Sequence, residues 1–183
     1  MITLIAYLVV LFLLIIFLLS TIIFTSSLFY SSIMGAPYIP SRQKEVEFAL
    51  SQISFAKNKT FIDLGCGDGR TVRTAVKLYG VKGIGVDINP LLIFYGKILS
   101  RLKGVNKNIT LITENIYKIN LSKIDYVYIF LMPATIEKLR PIMEKQLPKK
   151  AIVISHGFPV IGWDKKMFKK VSHIPFPTYF YRM

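Results

Sequence analysis

The first 41 residues contain no Asp, Glu, Lys or Arg. All 24 basic and all 10 acidic side chains lie from Arg42 onward, so the net charge of +14 belongs entirely to the remainder. Cysteine is limited to Cys66, which excludes an intrachain disulfide and suits a reducing compartment. There are two histidines and no His/Cys set at metal-ligand spacing, so no metal site is expected. Ser155 and His156 are sequence neighbours and not members of a spaced nucleophile–base–acid triad. Internal repeats and low-complexity tracts are also missing. A chain of 183 residues has room for one domain and one appended element.

The uncharged head is apolar from Ile2 to Tyr30. A membrane span needs about 20 apolar residues at ~1.5 Å rise each, and this run exceeds that. A cleaved signal peptide would need a basic n-region, a shorter apolar run and a small-residue cleavage site, none of which is evident. A buried core helix is the other reading, but a helix apolar on all faces with no polar stripe fits lipid better. The expected division is therefore a transmembrane anchor over 1–32, a connector over 33–41 and a folded body over 42–183. Gly35, Pro37 and Pro40 keep the connector out of helix. Arg42 and Lys44 follow the span closely, so the positive-inside bias predicts a single-pass protein with a cytoplasmic body. In that compartment the N-x-S/T triplets at Asn58, Asn108 and Asn120 carry no meaning.

The basic body has three readings: attraction to an anionic leaflet, nucleic-acid binding, or a lysine-rich composition. The lysines are scattered apart from Lys149-Lys150 and the set Lys165, Lys166, Lys169 and Lys170. No basic stripe interleaved with aromatics stands out, so nucleic acid ranks last as a partner.

Ser41 is a candidate N-cap for a helix with Val46, Ala49, Leu50 and Ile53 on one face. Apolar strands follow, each bounded by turn residues: TFIDL ending at Leu64, Gly83–Asp87, Ile109–Thr113, Asp125–Leu131 and Ala151–Ser155. Between them come a helix closed by Gly80, a helix from Pro90 to about Leu102, and a helix through ATIEKLRPIMEKQL in which Pro141 predicts a kink or break. The tail reads as a hairpin. Strand and helix alternating at this spacing predict an α/β fold, a Rossmann-like sheet that is mostly parallel, with the hairpin adding antiparallel strands at one edge.

Ligands of such sheets bind at the carboxyl ends of the strands. Here the first strand runs into Asp63-Leu64-Gly65-Cys66-Gly67-Asp68-Gly69-Arg70, and the second ends in Asp87. Glycine lets the backbone turn sharply and approach a ligand, and an acid at the end of the second strand can accept from ribose hydroxyls. A dinucleotide fingerprint needs glycine at the sixth place, which is Arg70. A carboxylate just before the glycines, Asp63, suits a cationic amino-acid end better than a pyrophosphate. S-adenosylmethionine has such an end, with an ammonium and a sulfonium.

The run DLGCGDGR with the later strand-end acid resembles the class I S-adenosylmethionine-dependent methyltransferases. Together with GAPYIPS (Gly35–Ser41), GVDINP (Gly85–Pro90), IFLMP (Ile129–Pro133) and SHGFPVIGW (Ser155–Trp163), it resembles a small family of protein lysine methyltransferases. That family includes archaeal enzymes of broad specificity and membrane-tethered enzymes that modify the c-ring protein of ATP synthase. INPLLIFYGK (Ile88–Lys97) is closest to the tethered branch. The resemblance implies that Asp63, Gly65, Gly67 and Gly69 hold the methionine part of the donor. It implies Asp87, with Ile88 beside it, at the ribose, and Asn115 at the adenine amino group. A turn or helix cap is the other reading of Asn115.

Transfer to a lysine requires a neutral amine, which costs roughly 4 kcal/mol near pH 7 from a free pKa of about 10.4. An apolar channel beside the sulfonium lowers that pKa without a dedicated base. Tyr38, Phe130, Met132 and His156 are candidates for its wall, with ordinary packing as the competing reading. The fourth strand ends in FLMP and lacks the N/D-P-P-Y motif of adenine methyltransferases. The expected activity is thus methylation of accessible lysines on membrane-associated proteins. A small-molecule, lipid or RNA acceptor, or an inactive membrane-anchored binding module, is the alternative.

Overall fold

The computed structural model describes residues 2–33, 41–172 and 174–183, and of residues 2, 28 and 30–33 the backbone alone. The expected connector, including Tyr38, therefore lies outside the described residues except for Ile33 and Ser41. Helix α1 (Ile2–Ile33) is continuous. Within it Thr3–Ser27 is long and apolar enough to cross a membrane, and none of that stretch is buried inside the molecule. Along its middle, hydroxyls turn back on their own helix: Ser20 donates to the Phe17 carbonyl and Thr25 to that of Thr21, each at 2.8 Å.

Helix α2 (Gln43–Ser51) buries Val46, Ala49 and Leu50. Ser41 does not cap it. Arg42 holds the N-cap place, and its carbonyl accepts from the Glu45 and Val46 amides. The carbonyl of Ser41 is drawn instead into a tertiary contact, accepting from the Arg70 guanidinium at 2.5 Å.

The body continues β1 (Thr60–Leu64), α3 (Arg70–Tyr79), β2 (Lys82–Asp87), α4 (Pro90–Leu102) and β3 (Ile109–Thr113). Then come β4 (Tyr126–Ile129), α5 (Pro133–Gln146), β5 (Ile152–His156), β6 (Met167–Val171) and β7 (Thr178–Arg182). The strands form one sheet in the order β3-β2-β1-β4-β5-β7-β6. β1 to β5 pair in parallel, and β7 runs antiparallel between β5 and β6. The order reverses between β1 and β4, so the crevice for a ligand opens at their carboxyl ends.

Local chemistry accounts for most helix ends. Gly80 is left-handed and its amide closes α3 on the Val76 carbonyl. The Asn89 side chain accepts from the Leu91 and Leu92 amides, and Pro90 opens α4 where no amide donor is needed. Pro141 neither breaks nor ends α5, which runs on to Gln146. Its ring faces solvent, while Ile136, Leu139 and Met143 anchor the other side of the helix in the core. β4 is shorter than expected at both ends, because the Asp125 carboxylate binds the Thr60 amide and Leu131 has moved on to pack beneath the loop after β1. β5 begins and ends one residue later than expected and includes His156.

The sheet separates two apolar cores. α2, α3 and α4 cover one face through Leu50, Val72, Val76 and Ile93, and α5 covers the other. At the closest approach of α4 to the loop after β1 stands Gly96. A Cβ there would lie 2.5 Å from the Asp68 carbonyl oxygen. Backbone cannot give way as a side-chain tip does, so Gly96→Ala is expected to destabilise the protein by about 1–3 kcal/mol. A lowered thermal midpoint in detergent solution checks this, and an unchanged midpoint contradicts the packing described.

Candidate active site

The turn from β1 into α3 is built on Gly65, Gly67 and Gly69, all at positive φ. The Gly65 and Cys66 amides both donate to the Val86 carbonyl, at 2.8 and 2.9 Å, which ties the turn to β2. A side chain at Gly65 would strike Leu131, its Cβ only 2.7 Å from Leu131 Cδ2. The Gly67 amide donates to Asp87 Oδ2 at 2.8 Å, and the Asn89 amide donates to Asp87 Oδ1 at 2.9 Å. One carboxylate therefore spans the glycine turn and the start of α4. Ile88 contributes a further backbone hydrogen bond to it.

Asp63 lies one turn of strand below, buried, and its carboxyl is pushed well above the usual range by burial and then by the charge of Asp87. A hydrogen bond from Thr71 tempers that rise. Asp87 is raised as well, by burial, against the pull of its backbone donors. Among the described residues no ion pair reaches either acid. The nearby Asp68 differs: Arg70 and Arg73 pair with it at 3.2 and 3.5 Å, and Arg73 also donates to its carbonyl. Burial and the three acids push the Cys66 thiol well up, so it is an unreactive filler of the turn. Two carboxylates without a cationic partner beside a glycine turn suit a ligand that is cationic at one end and carries hydroxyls near Asp87.

Asn115 opens the short turn of 3₁₀ helix over Ile116–Lys118, its side-chain oxygen accepting from the Tyr117 amide at 3.0 Å. The cap reading therefore describes that oxygen, which keeps a second lone pair for a ligand amine.

The ends of β4 and β5 bring Phe130 and His156 together, ring centroids 4.9 Å apart and edge to face. Phe176, from the turn before β7, joins them at 5.3 Å from Phe130 and 5.9 Å from His156. Tyr128 stacks on the other side of His156. His156 is buried and its Nδ1 lies 2.9 Å from the Thr178 hydroxyl. Met132 sits at the N-cap of α5 and is 45% exposed, at the rim and not in this cluster. Sequence reasoning missed Phe176, Tyr128, the Asp68–Arg73 clamp and Thr71. Only Thr71 carried a local signal, as a hydroxyl one turn into the helix after the glycines.

The model of the "ANTKMT methyltransferase domain" matches residues 63–167. The chain is 34% identical over 137 residues to a protein-lysine N-methyltransferase of Saccharolobus islandicus (strain REY15A), covering 74% of this chain and 85% of that protein. It is 28% identical over 127 residues to the lysine N-methyltransferase of Homo sapiens named for the C-type subunit of ATP synthase, covering 69% of this chain and 54% of that one. The chain thus spans about half the length of the human relative. Among solved structures, an RNA methyltransferase from Salinibacter ruber in complex with S-adenosyl-L-homocysteine superposes with a TM-score of 0.75 at 26% identity, over 79% of this chain and 93% of that one.

The raised carboxyl of Asp63 has a consequence for the ligand-free protein. Its ionised form opposes folding at neutral pH, and the cost fades as pH falls through its raised folded pKa toward the ordinary value of about 3.9. Asp63→Asn, whose amide oxygen still accepts from Thr71, should therefore melt higher than the parent at neutral pH. The gap should narrow on acidification. Thermal scans across pH test this, and a variant that melts lower at neutral pH contradicts it.

Proposed function

The chain belongs to the ANTKMT methyltransferase domain family, and on that premise we propose that it is a protein-lysine N-methyltransferase acting at a membrane. The observation that carries the reading is the pair of uncompensated carboxylates, Asp63 and Asp87, beside a glycine turn that leaves room for a ligand. S-adenosylmethionine, when bound, supplies an electrophilic methyl group. Asp63 stabilises positive charge at the amino-acid end. Asp87 takes the ribose hydroxyls, while its bonds to the Gly67 and Asn89 amides hold it still for that task. Gly65, Gly67 and Gly69 admit the donor, with Ile88 and Asn115 at the nucleoside.

The acceptor amine must arrive neutral and in line, and alignment of the reacting atoms is the main demand. Phe130, His156 and Phe176 form an apolar wall that excludes water and disfavours the ammonium form. Tyr38 is proposed for the same wall, and Met132 for its rim. In this reading 42–183 is the catalytic domain and 33–41 its connector. Helix α1 is a single membrane span, supported by its length, its uncharged apolar surface and the hydroxyls of Ser20, Thr21 and Thr25, which bond within the helix. The positive-inside bias of Arg42 and Lys44 supports a cytoplasmic body. A tether raises the local concentration of membrane-bound substrates, which offsets a modest recognition surface.

Two measurements test this. Asp87→Ala removes at least one hydrogen bond to a charged group, worth about 1.5–3 kcal/mol, so calorimetry should register a drop in S-adenosylmethionine affinity of at least roughly 10- to 150-fold. Incubation with methyl-labelled donor and a membrane fraction should place label on protein lysine, and Asp87→Ala should abolish it. Label in RNA would favour the acceptor named for the Salinibacter structure, a reading that the net charge of +14 also suits. Label in lipid would overturn the protein acceptor, and no label with any fraction would point to a binding module.

A further inference from the structure

Helix α4 has two apolar faces. One, with Leu92, Ile93 and Gly96, packs on the sheet and the glycine turn. The other looks into solvent. Phe94 is 63% exposed, Tyr95 52%, Ile98 38% and Leu102 78%, with Leu91 beginning the row. At ~3.6 residues per turn these five side chains fall within a stripe about 100° wide, diametrically opposite the buried face. Lys97 and Arg101 flank it along one border, and Lys103 follows the last turn. An apolar stripe of this length beside cations is uncommon on a face that meets only water.

The occupant is indicated by where α4 begins. The stretch of α1 capable of spanning a membrane ends at Ser27. The Ser27 hydroxyl donates to Asn89 Oδ1 at 2.7 Å, and the Asn89 side-chain amide donates to the Ser27 carbonyl at 3.1 Å. Asn89 is the N-cap of α4. The first turn of α4 is thus held at the level at which α1 leaves its apolar stretch, which is the headgroup level if α1 spans a bilayer.

We propose that the outer face of α4 lies in the interfacial zone of an anionic bilayer. Phe94, Tyr95, Ile98 and Leu102 enter the boundary between headgroups and acyl chains, and Lys97, Arg101 and Lys103 contact lipid phosphates. The inference rests on the reading of α1 as a membrane span. An amphipathic helix in the interface buries its apolar side about 5–10 Å deep, with cations drawn to anionic lipid. The body then has two points of attachment, α1 and α4, and cannot pivot freely about the connector. The glycine turn, which packs against the inner face of α4 at Gly96, is held at a fixed height above the bilayer.

The test uses the full chain reconstituted in phosphatidylcholine vesicles with and without phosphatidylglycerol. A polarity-sensitive fluorophore is attached through Leu102→Cys, and in a reference protein through Lys138→Cys on α5, across the sheet; Cys66 is buried in both. The expected result is a blue-shifted emission at position 102, quenched by nitroxide-labelled lipid at least several-fold more than at 138. The effect should strengthen when phosphatidylglycerol is present. Alkaline extraction is run in parallel. Loss of the protein from the vesicles would overturn the span and the docking together. A retained protein whose label at 102 is as open to aqueous iodide as that at 138 would overturn the docking and leave the span standing. A label shielded from iodide but not quenched by lipid would also overturn it, in favour of a protein cover such as a second copy of the chain. In the labelled protein, Phe94→Asp should move the emission back toward that of the reference without releasing the protein.

Discussion

The Asp87 carboxylate ties together parts of this molecule that are far apart in sequence. One oxygen holds the Gly67 amide, and so fixes the glycine turn. The other holds the Asn89 amide, and so fixes the start of α4. Asn89 in turn binds Ser27, two hydrogen bonds away from the carboxylate, at the end of the apolar helix. A charged acceptor binds its backbone donors more strongly than a neutral one does, and here that strength falls on three elements far apart in sequence. The same oxygens face the place proposed for the ribose, so structural and binding roles coincide in one side chain.

The surrounding charges are arranged around that constraint. Two arginines satisfy Asp68, and the turn gains a rigid flank. Asp63 and Asp87 receive no cation from the protein among the described residues, although the chain carries a large excess of them. In the proposed function, the missing positive charge is the part of the site that the methyl donor supplies. On the far side of β1 and β4 the surroundings turn aromatic, with Phe130, His156 and Phe176 converging from β4, β5 and the segment before β7. The crevice between β1 and β4 therefore separates an ionic half from an apolar one, the division that the proposed donor and neutral amine require.

What the sequence made legible is what local chemistry decides. Gly80 ends α3 because a left-handed residue was needed there, and Pro90 after Asn89 opens α4 at the expected residue. β1, β4 and β5 could be read because strands buried on both faces are nearly continuous apolar runs. Ser41 failed as a cap because a guanidinium 29 residues away captured its carbonyl. Pro141 failed as a breaker because three buried side chains on the opposite side of α5 outweigh one absent hydrogen bond. Phe176 could not be chosen from among 13 phenylalanines until β7 was known to return beside β5. The acidic pair was legible by spacing, whereas its lack of countercharge is a property of the fold alone.

The position of β7 also bears on how the chain is made. It lies between β5 and β6, pairing Ile154 with Phe180 on one side and Lys170 with Tyr179 on the other. A nascent chain that has emerged through β6 therefore carries two strands waiting for the same partner, with β5 offering an open edge beside the half-formed aromatic wall. Open edges invite pairing with other chains. Between synthesis of β5 and of β7 the sheet therefore keeps that edge unpaired, at a time when its most apolar segment, α1, has long since left the ribosome.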